Sequence, residues 1–221
     1  MKYFKYTMDM KTFNLVSIIL FIPLFIIISI LKLWEYVNIE FLVLYFLWMF
    51  LHELLHGMGF SINKNINHKN IIYGAALEKG ILYCMCKQEI KKKNIIISLL
   101  FPFIFIGITT FFIGLALNNP ILQLLSLFNI VGSIGDLVMF FDFIKLPEFN
   151  YLDLDDCTGF VLTSKEDLSK YKLFGINLIE KGNYNKLEQA KNYKKINITK
   201  LSICTFIILI SILVIKMLLK I

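Results

Sequence analysis

Apolar residues gather in five stretches, from about Leu15 to Leu31, Phe41 to Phe60, Ile95 to Leu117, Ile121 to Ile144 and Leu201 to Leu219. Lysine, asparagine and the acids concentrate between them. At 1.5 Å of rise per residue each stretch can cross a hydrocarbon core of about 30 Å, so five transmembrane helices are expected. Pro23 falls inside the first, where a membrane helix tolerates a kink. No small-residue cleavage site follows that stretch at Leu31-Lys32-Leu33-Trp34, so it reads as a retained anchor.

The polar intervals carry weaker signals. Ile71–Leu77 and Ile81–Cys86 are strand-like runs around Lys79-Gly80, which predicts a β-hairpin against the membrane. Pro147 marks the exit from the fourth span. Ser164 with Asp167 has the spacing of a capping box opening a short helix, and a polar helix is expected from about Tyr184 to Lys195. The fold expected is a single all-α integral-membrane domain over residues 1–221. It would have about five transmembrane helices, a small cytoplasmic hairpin and a short cytoplasmic α/β loop region.

Composition agrees. Of 221 residues 57% are hydrophobic and 18% charged, and the mean hydropathy is +0.70, outside the range of soluble domains. The formal charge of +7 arises from lysine alone, with no arginine, and its placement argues against nucleic acid. With five spans, residues 1–14, 61–94 and 145–200 share one side of the membrane and hold 20 of the 23 lysines. The positive-inside rule then places the N-terminus and both large loops in the cytoplasm of a multi-pass protein. Four cysteines, Cys84, Cys86, Cys157 and Cys204, do not form an extracellular disulfide framework in so apolar a chain.

The candidate chemistry lies in the second span. His52 and His56 stand four residues apart with Glu53 beside the first, the H-E-x-x-H spacing that puts two imidazoles on one helix face toward one Zn²⁺ and leaves the glutamate as general base. The competing reading is a set of packed polar side chains. It weakens inside a bilayer, where each ionisable group costs roughly 2–3 kcal/mol unless paired, metal-bound or facing water.

A catalytic zinc takes three protein ligands, so a third must come from elsewhere at matching depth. Asp136 in the fourth span lies about as far from the cytoplasmic exit as His52 and His56 do. Gly132, Ser133 and Gly135 before it are small enough to admit another helix, and Asn129 lies two turns earlier on nearly the same face. Asp142 is the rival ligand, though six residues of helix turn it toward another face, and a membrane-edge charge is the reading preferred for it. His68 reads as a solvated loop residue, Cys84 and Cys86 as two reduced thiols, and Asp153, Asp155 and Asp156 as a solvated acidic loop.

With His52-Glu53-x-x-His56 in one span, Asn129 and Asp136 in a later one and a hairpin between, the chain resembles the bacterial membrane protein family described as "putative zincin peptidase". Its members look like compact relatives of the site-2 intramembrane metalloproteases. The resemblance covers roughly residues 40–163. It implies zinc held by His52, His56 and Asp136, Glu53 as the catalytic base and a substrate-gripping role for Asn129. It also implies that the 71–86 hairpin holds an unwound substrate by strand addition. In the site-2 pattern a proline follows the asparagine and a glycine follows the aspartate, whereas here Ile130 and Leu137 stand in those places.

The expected activity is that of a zinc-dependent intramembrane endopeptidase, acting near the cytoplasmic face on a membrane protein or peptide within the lipid bilayer. The alternative is a non-catalytic membrane metal-binding adaptor, or an immunity or transport accessory protein.

Overall fold

The computed structural model describes residues 2–7, 10–62, 66–76, 81–153 and 159–178. The span expected at 201–219, the polar helix at 184–195, the Lys79-Gly80 turn, Asp155, Asp156, Cys157 and Cys204 lie outside the described residues.

Among the described residues there are six α-helices: α1 (Met10–Ile30), α2 (Ile39–Ser61), α3 (Lys92–Pro102), α4 (Thr110–Ala116), α5 (Pro120–Gly132) and α6 (Ile134–Lys145). A π-helical stretch, Phe103–Thr109, joins α3 to α4, giving one apolar run over Lys92–Ala116. Two of the starts have a side-chain cap. The Asn38 side chain accepts the Phe41 N–H at 3.0 Å to open α2. Asn119 accepts the Leu122 N–H at 2.9 Å to open α5, with Pro120 at the first helical position.

Two helices among the described residues, α2 and the 92–116 run, are long and apolar enough to cross a membrane, or three if the bent α5–α6 pair is one span. The apolar helix Leu15–Ile30 within α1 is shorter than these. Its Phe25 and Ile30, with Ile39 of α2 and Phe112 of α4, are exposed, as lipid-facing residues would be.

The fourth stretch departs most from expectation. It is not one helix but two, bent by 46° between Gly132 and Ile134. Ser133 Oγ donates to the Asn129 carbonyl at 2.9 Å, a back-bond that favours bending at this point.

The polar intervals are more ordered than a hairpin and a loop region. The hairpin is present as β2 (Ile71–Ala76) and β3 (Ile81–Cys86), paired antiparallel with Tyr73 opposite Cys84. A second, five-stranded antiparallel sheet is made by β1 (Lys2–Tyr6), β4 (Ile90–Lys91), β5 (Asn150–Asp153), β6 (Phe160–Ser164) and β7 (Asn177–Leu178), in the order β4-β5-β6-β1-β7. β1 lies inside the sheet, with Lys2 opposite Ser164 and Tyr6 opposite Phe160. β4 runs directly into α3, and α6 leads into β5.

Ser164 is therefore the last residue of a strand rather than a helix cap. The short turn that follows, Leu168–Lys170, is capped by Asp167, which accepts the Ser169 N–H at 3.1 Å. Lys2 Nζ meets the same carboxylate at 2.7 Å and, with the two Ser169 donors, holds it well below the usual carboxylate range.

Two apolar cores follow from this division. One lies among α1, α2 and α5, with Leu24, Phe41, Leu44, Trp48 and Leu125. The other joins the sheet to the helix ends through Phe4, Tyr6, Phe143, Phe149 and Leu162. The Tyr6 ring stacks on Phe160 with centroids 4.9 Å apart and meets Phe143 edge-on at 5.5 Å.

Candidate metal centre

His52 and His56 share one face of α2 because four residues make about one turn. What fixes the rings comes from α3 and α5. Gly59 lets α3 press against α2, since a Cβ there would lie 2.4 Å from the Ser98 Cα. Ser98 thus reaches His56 twice, with Oγ donating to the His56 carbonyl at 2.8 Å and the Ser98 carbonyl 2.9 Å from His56 Nδ1. That carbonyl is free because its helical donor would be the N–H of residue 102, and Pro102 has none.

The other imidazole is held in a parallel way. Asn129 Nδ2 donates to the Pro102 carbonyl at 3.0 Å, which turns its Oδ1 toward His52 Nδ1 at 2.9 Å. Both Nδ1 atoms therefore face oxygen acceptors and carry the ring protons. In the neutral imidazoles both Nε2 atoms are then lone-pair donors, and they face each other at 3.1 Å.

Asp136, in the first turn of α6, completes the group. Its Oδ2 lies 3.2 Å from His52 Nε2 and its Oδ1 3.4 Å from His56 Nε2. All three ligand atoms fall within 4.8 Å of one another. Two imidazole lone pairs and a carboxylate crowded together repel unless a cation or a proton lies among them. Two nitrogens and one oxygen also form the donor set of a catalytic zinc site with a position left for water. The residues fit a zinc ion, and the Nδ1 bonds to Asn129 and Ser98 are of the kind that would orient histidine ligands.

Glu53 lines the same cavity, of about 340 Å³, as His52, His56 and Asp136. The Cys84 backbone N–H reaches its carboxylate from β3, so the hairpin places a donor beside the candidate base. The hairpin seats closely because Gly57 leaves room for Tyr73, whose hydroxyl would lie 1.8 Å from a Cβ at that position. Burial pushes the Cys84 and Cys86 thiols up, so both stay protonated. Neither belongs to a metal-holding group among the described residues. His68 sits in an exposed turn, 3.3 Å from Ser61 Oγ.

Two acids differ from their expected surroundings. Asp142 is apart from the metal group but is not a membrane-edge charge, because it is fully buried. Tyr6 Oη donates to it at 2.7 Å, and the Phe174 and Gly175 N–H groups donate at 3.0 and 3.3 Å. Asp153 closes β5 rather than sitting in a solvated loop. It accepts the Cys86 N–H at 2.7 Å and the Tyr151 hydroxyl proton, and it lines the cavity. Burial pushes its carboxyl up to about 6 against the opposing effect of those donors.

Sequence reasoning passed over Ser98, Pro102 and the Cys84 backbone. The available signals were Gly57 and Gly59 next to His56, which mark a face closely approached by other backbone, and a proline four residues after a serine.

Residues 45–151 match the model of the family described as "Putative zincin peptidase", which bears out the resemblance to that family. The match includes His52, Glu53, His56, Asn129 and Asp136. No curated protein and no solved structure matches the chain.

Proposed function

Taking that family match as premise, we propose that the protein is a zinc-dependent intramembrane endopeptidase. In this reading it cleaves membrane-associated substrates near the cytoplasmic face of a bacterial cell membrane. It crosses that membrane several times, with its N-terminus and large loops cytoplasmic, as the lysine distribution favours. The observation that carries the reading is the pair of Nε2 atoms 3.1 Å apart, both made lone-pair donors by their Nδ1 partners and both beside Asp136.

His52, His56 and Asp136 would hold the ion. Zinc bound there supplies a Lewis acid for the scissile carbonyl and brings the pKa of water to near neutrality. Glu53 takes the proton of the attacking water and passes it to the leaving amine, which needs a carboxylate in the same cavity as the ligands. The Cys84 N–H steadies that carboxylate. Asn129 and Ser98 act through the histidines, as positioning residues. A helical substrate hides its peptide bonds, so a locally unwound segment is required, and Gly- or Pro-containing segments are the preferred targets.

The test is Glu53→Gln. Purified variant and wild type should both retain about one zinc per chain. A cleavage product found in the membrane proteome of cells carrying wild type should be absent with the variant. If Glu53→Gln retains both zinc and biological effect, the metal-holding adaptor is the correct reading.

A further inference from the structure

The π-helical stretch Phe103–Thr109 is tied to α5 at both of its ends. At the start, the Pro102 carbonyl accepts from Asn129 Nδ2 at 3.0 Å. At the end, the Thr110 N–H bonds the Gly107 carbonyl, one residue nearer than the Ile106 carbonyl that a regular α-helix would use. The Thr110 hydroxyl donates to the Ile106 carbonyl at 2.7 Å instead, and it also hydrogen-bonds Ser126 Oγ at 2.6 Å. Ser126 and Asn129 are three residues apart, on one face of α5.

Between the two ties, Gly107 lets the backbone come close. A Cβ there would lie 3.0 Å from Ile130 Cγ1 and 3.4 Å from Asn129 Nδ2. The helices on either side are pinned separately. Two Ser98 bonds to His56 hold α3, and Gln123 Nε2 holds α4 by donating to the Gly114 carbonyl at 3.0 Å. A π turn holds more residues than an α turn, so rewinding it as α-helix would rotate α3 against α4, by about 100° for one residue. With both helices pinned, the mismatch falls on Pro102 and its bond to Asn129.

Resting on the reading of His52, His56 and Asp136 as zinc ligands, we infer that this π turn is a positioning device for the metal centre, with Thr110, Ser126 and Gly107 as positioning residues. The hydroxyl pair keeps the turn wound, and the wound turn presents the Pro102 carbonyl to Asn129. That carbonyl decides which way the Asn129 amide faces. Were the acceptor withdrawn, the amide could turn Nδ2 toward His52 Nδ1, and two donors would meet. His52 would answer by carrying its ring proton on Nε2, where a metal needs the lone pair.

The test uses full-length protein in detergent micelles, with zinc as the probe and its affinity read by competition with a chelator. Thr110→Val keeps the shape of the side chain and removes the hydroxyl. It should weaken zinc binding about tenfold, the lower end of the range for partners that orient a ligand. Thr110→Ser should restore most of the loss. In an Asn129→Ala background Thr110→Val should cost nothing further, because both act through the same bond. In metal-free protein carrying isotope-labelled histidine, NMR should show a hydrogen-bonded Nδ1–H for His52, assigned by its absence from His52→Gln and lost in Thr110→Val.

Unchanged zinc affinity with an unchanged His52 signal in Thr110→Val would overturn the device, as would losses that multiply in the double variant. Should Thr110→Val fail to fold by circular dichroism, Gly107→Ala carries the same test through its contacts with Ile130 and Asn129, with the same expected direction. If no form holds zinc yet the His52 signal follows Thr110, the device stands and the zinc reading fails.

Discussion

The two ends of α6 each present an aspartate, and their surroundings are opposite in kind. At the helix start Asp136 faces two imidazole nitrogens whose protons are committed elsewhere, so lone pairs surround it. At the helix end Asp142 faces a phenol O–H and two backbone N–H groups, so donors surround it. The second carboxylate is satisfied by the fold alone. The first is not, and a cation or a proton among the three side chains relieves it. Charge alone does not separate the two carboxylates; the polarity of the neighbouring atoms does.

The sharpest challenge to this contrast is Asp136→Ala. Loss of an outer-shell partner typically weakens metal binding 10- to 100-fold, so loss of a direct ligand should exceed about 100-fold in zinc retention and abolish cleavage. Metal analysis after dialysis checks it, with circular dichroism expected to show the helices intact. Asp142→Ala should do the reverse. It strands three donors, costs on the order of 3 kcal/mol of stability, and leaves zinc stoichiometry unchanged in the folded fraction. Thermal unfolding in detergent gives the first quantity; if zinc falls while the melting temperature holds, the two roles have been exchanged.

Smaller effects probe the contrast more finely. Asn129→Ala frees His52 Nδ1 and should cost about 10- to 100-fold in zinc affinity without removing a ligand, measured by competition with a chelator. The weakest effect belongs to Asp153, where two donors only partly offset burial. Its folded value near 6 exceeds the ordinary 3.8. Between those values the unfolded chain releases the proton that the folded chain keeps, so stability should fall as pH rises through this window and level off above it. Asp153→Asn should flatten that slope, and unfolding measured between pH 4 and pH 7 decides.

The metal group was legible because its signals are local or helical. His52, Glu53 and His56 fall within five residues, and Asp136 and Asn129 can be located by depth and face on a regular helix. The five-stranded sheet was hidden because its information is not local. β4 and β7 have two residues each, too few for alternation to register, and β1 reads as the basic flank of a membrane helix. The role of Asp142 depends on a tyrosine 136 positions away and on backbone groups of Phe174 and Gly175, for which no side-chain pattern exists. The bend at Ser133 was masked by continuous hydropathy, and its glycines were read as contact residues instead.

The enclosed position of β1 has a consequence in time. Lys2–Tyr6 pair with residues 160–164 and 177–178, so their partners are synthesised only after more than 150 further residues. At ribosomal rates of about 5–20 residues per second that interval is on the order of ten to thirty seconds. The apolar helices and the histidines of α2 are made during it, before the sheet can be completed. Synthesis thereby orders the fold, with the apolar helices made first and closure of the sheet last.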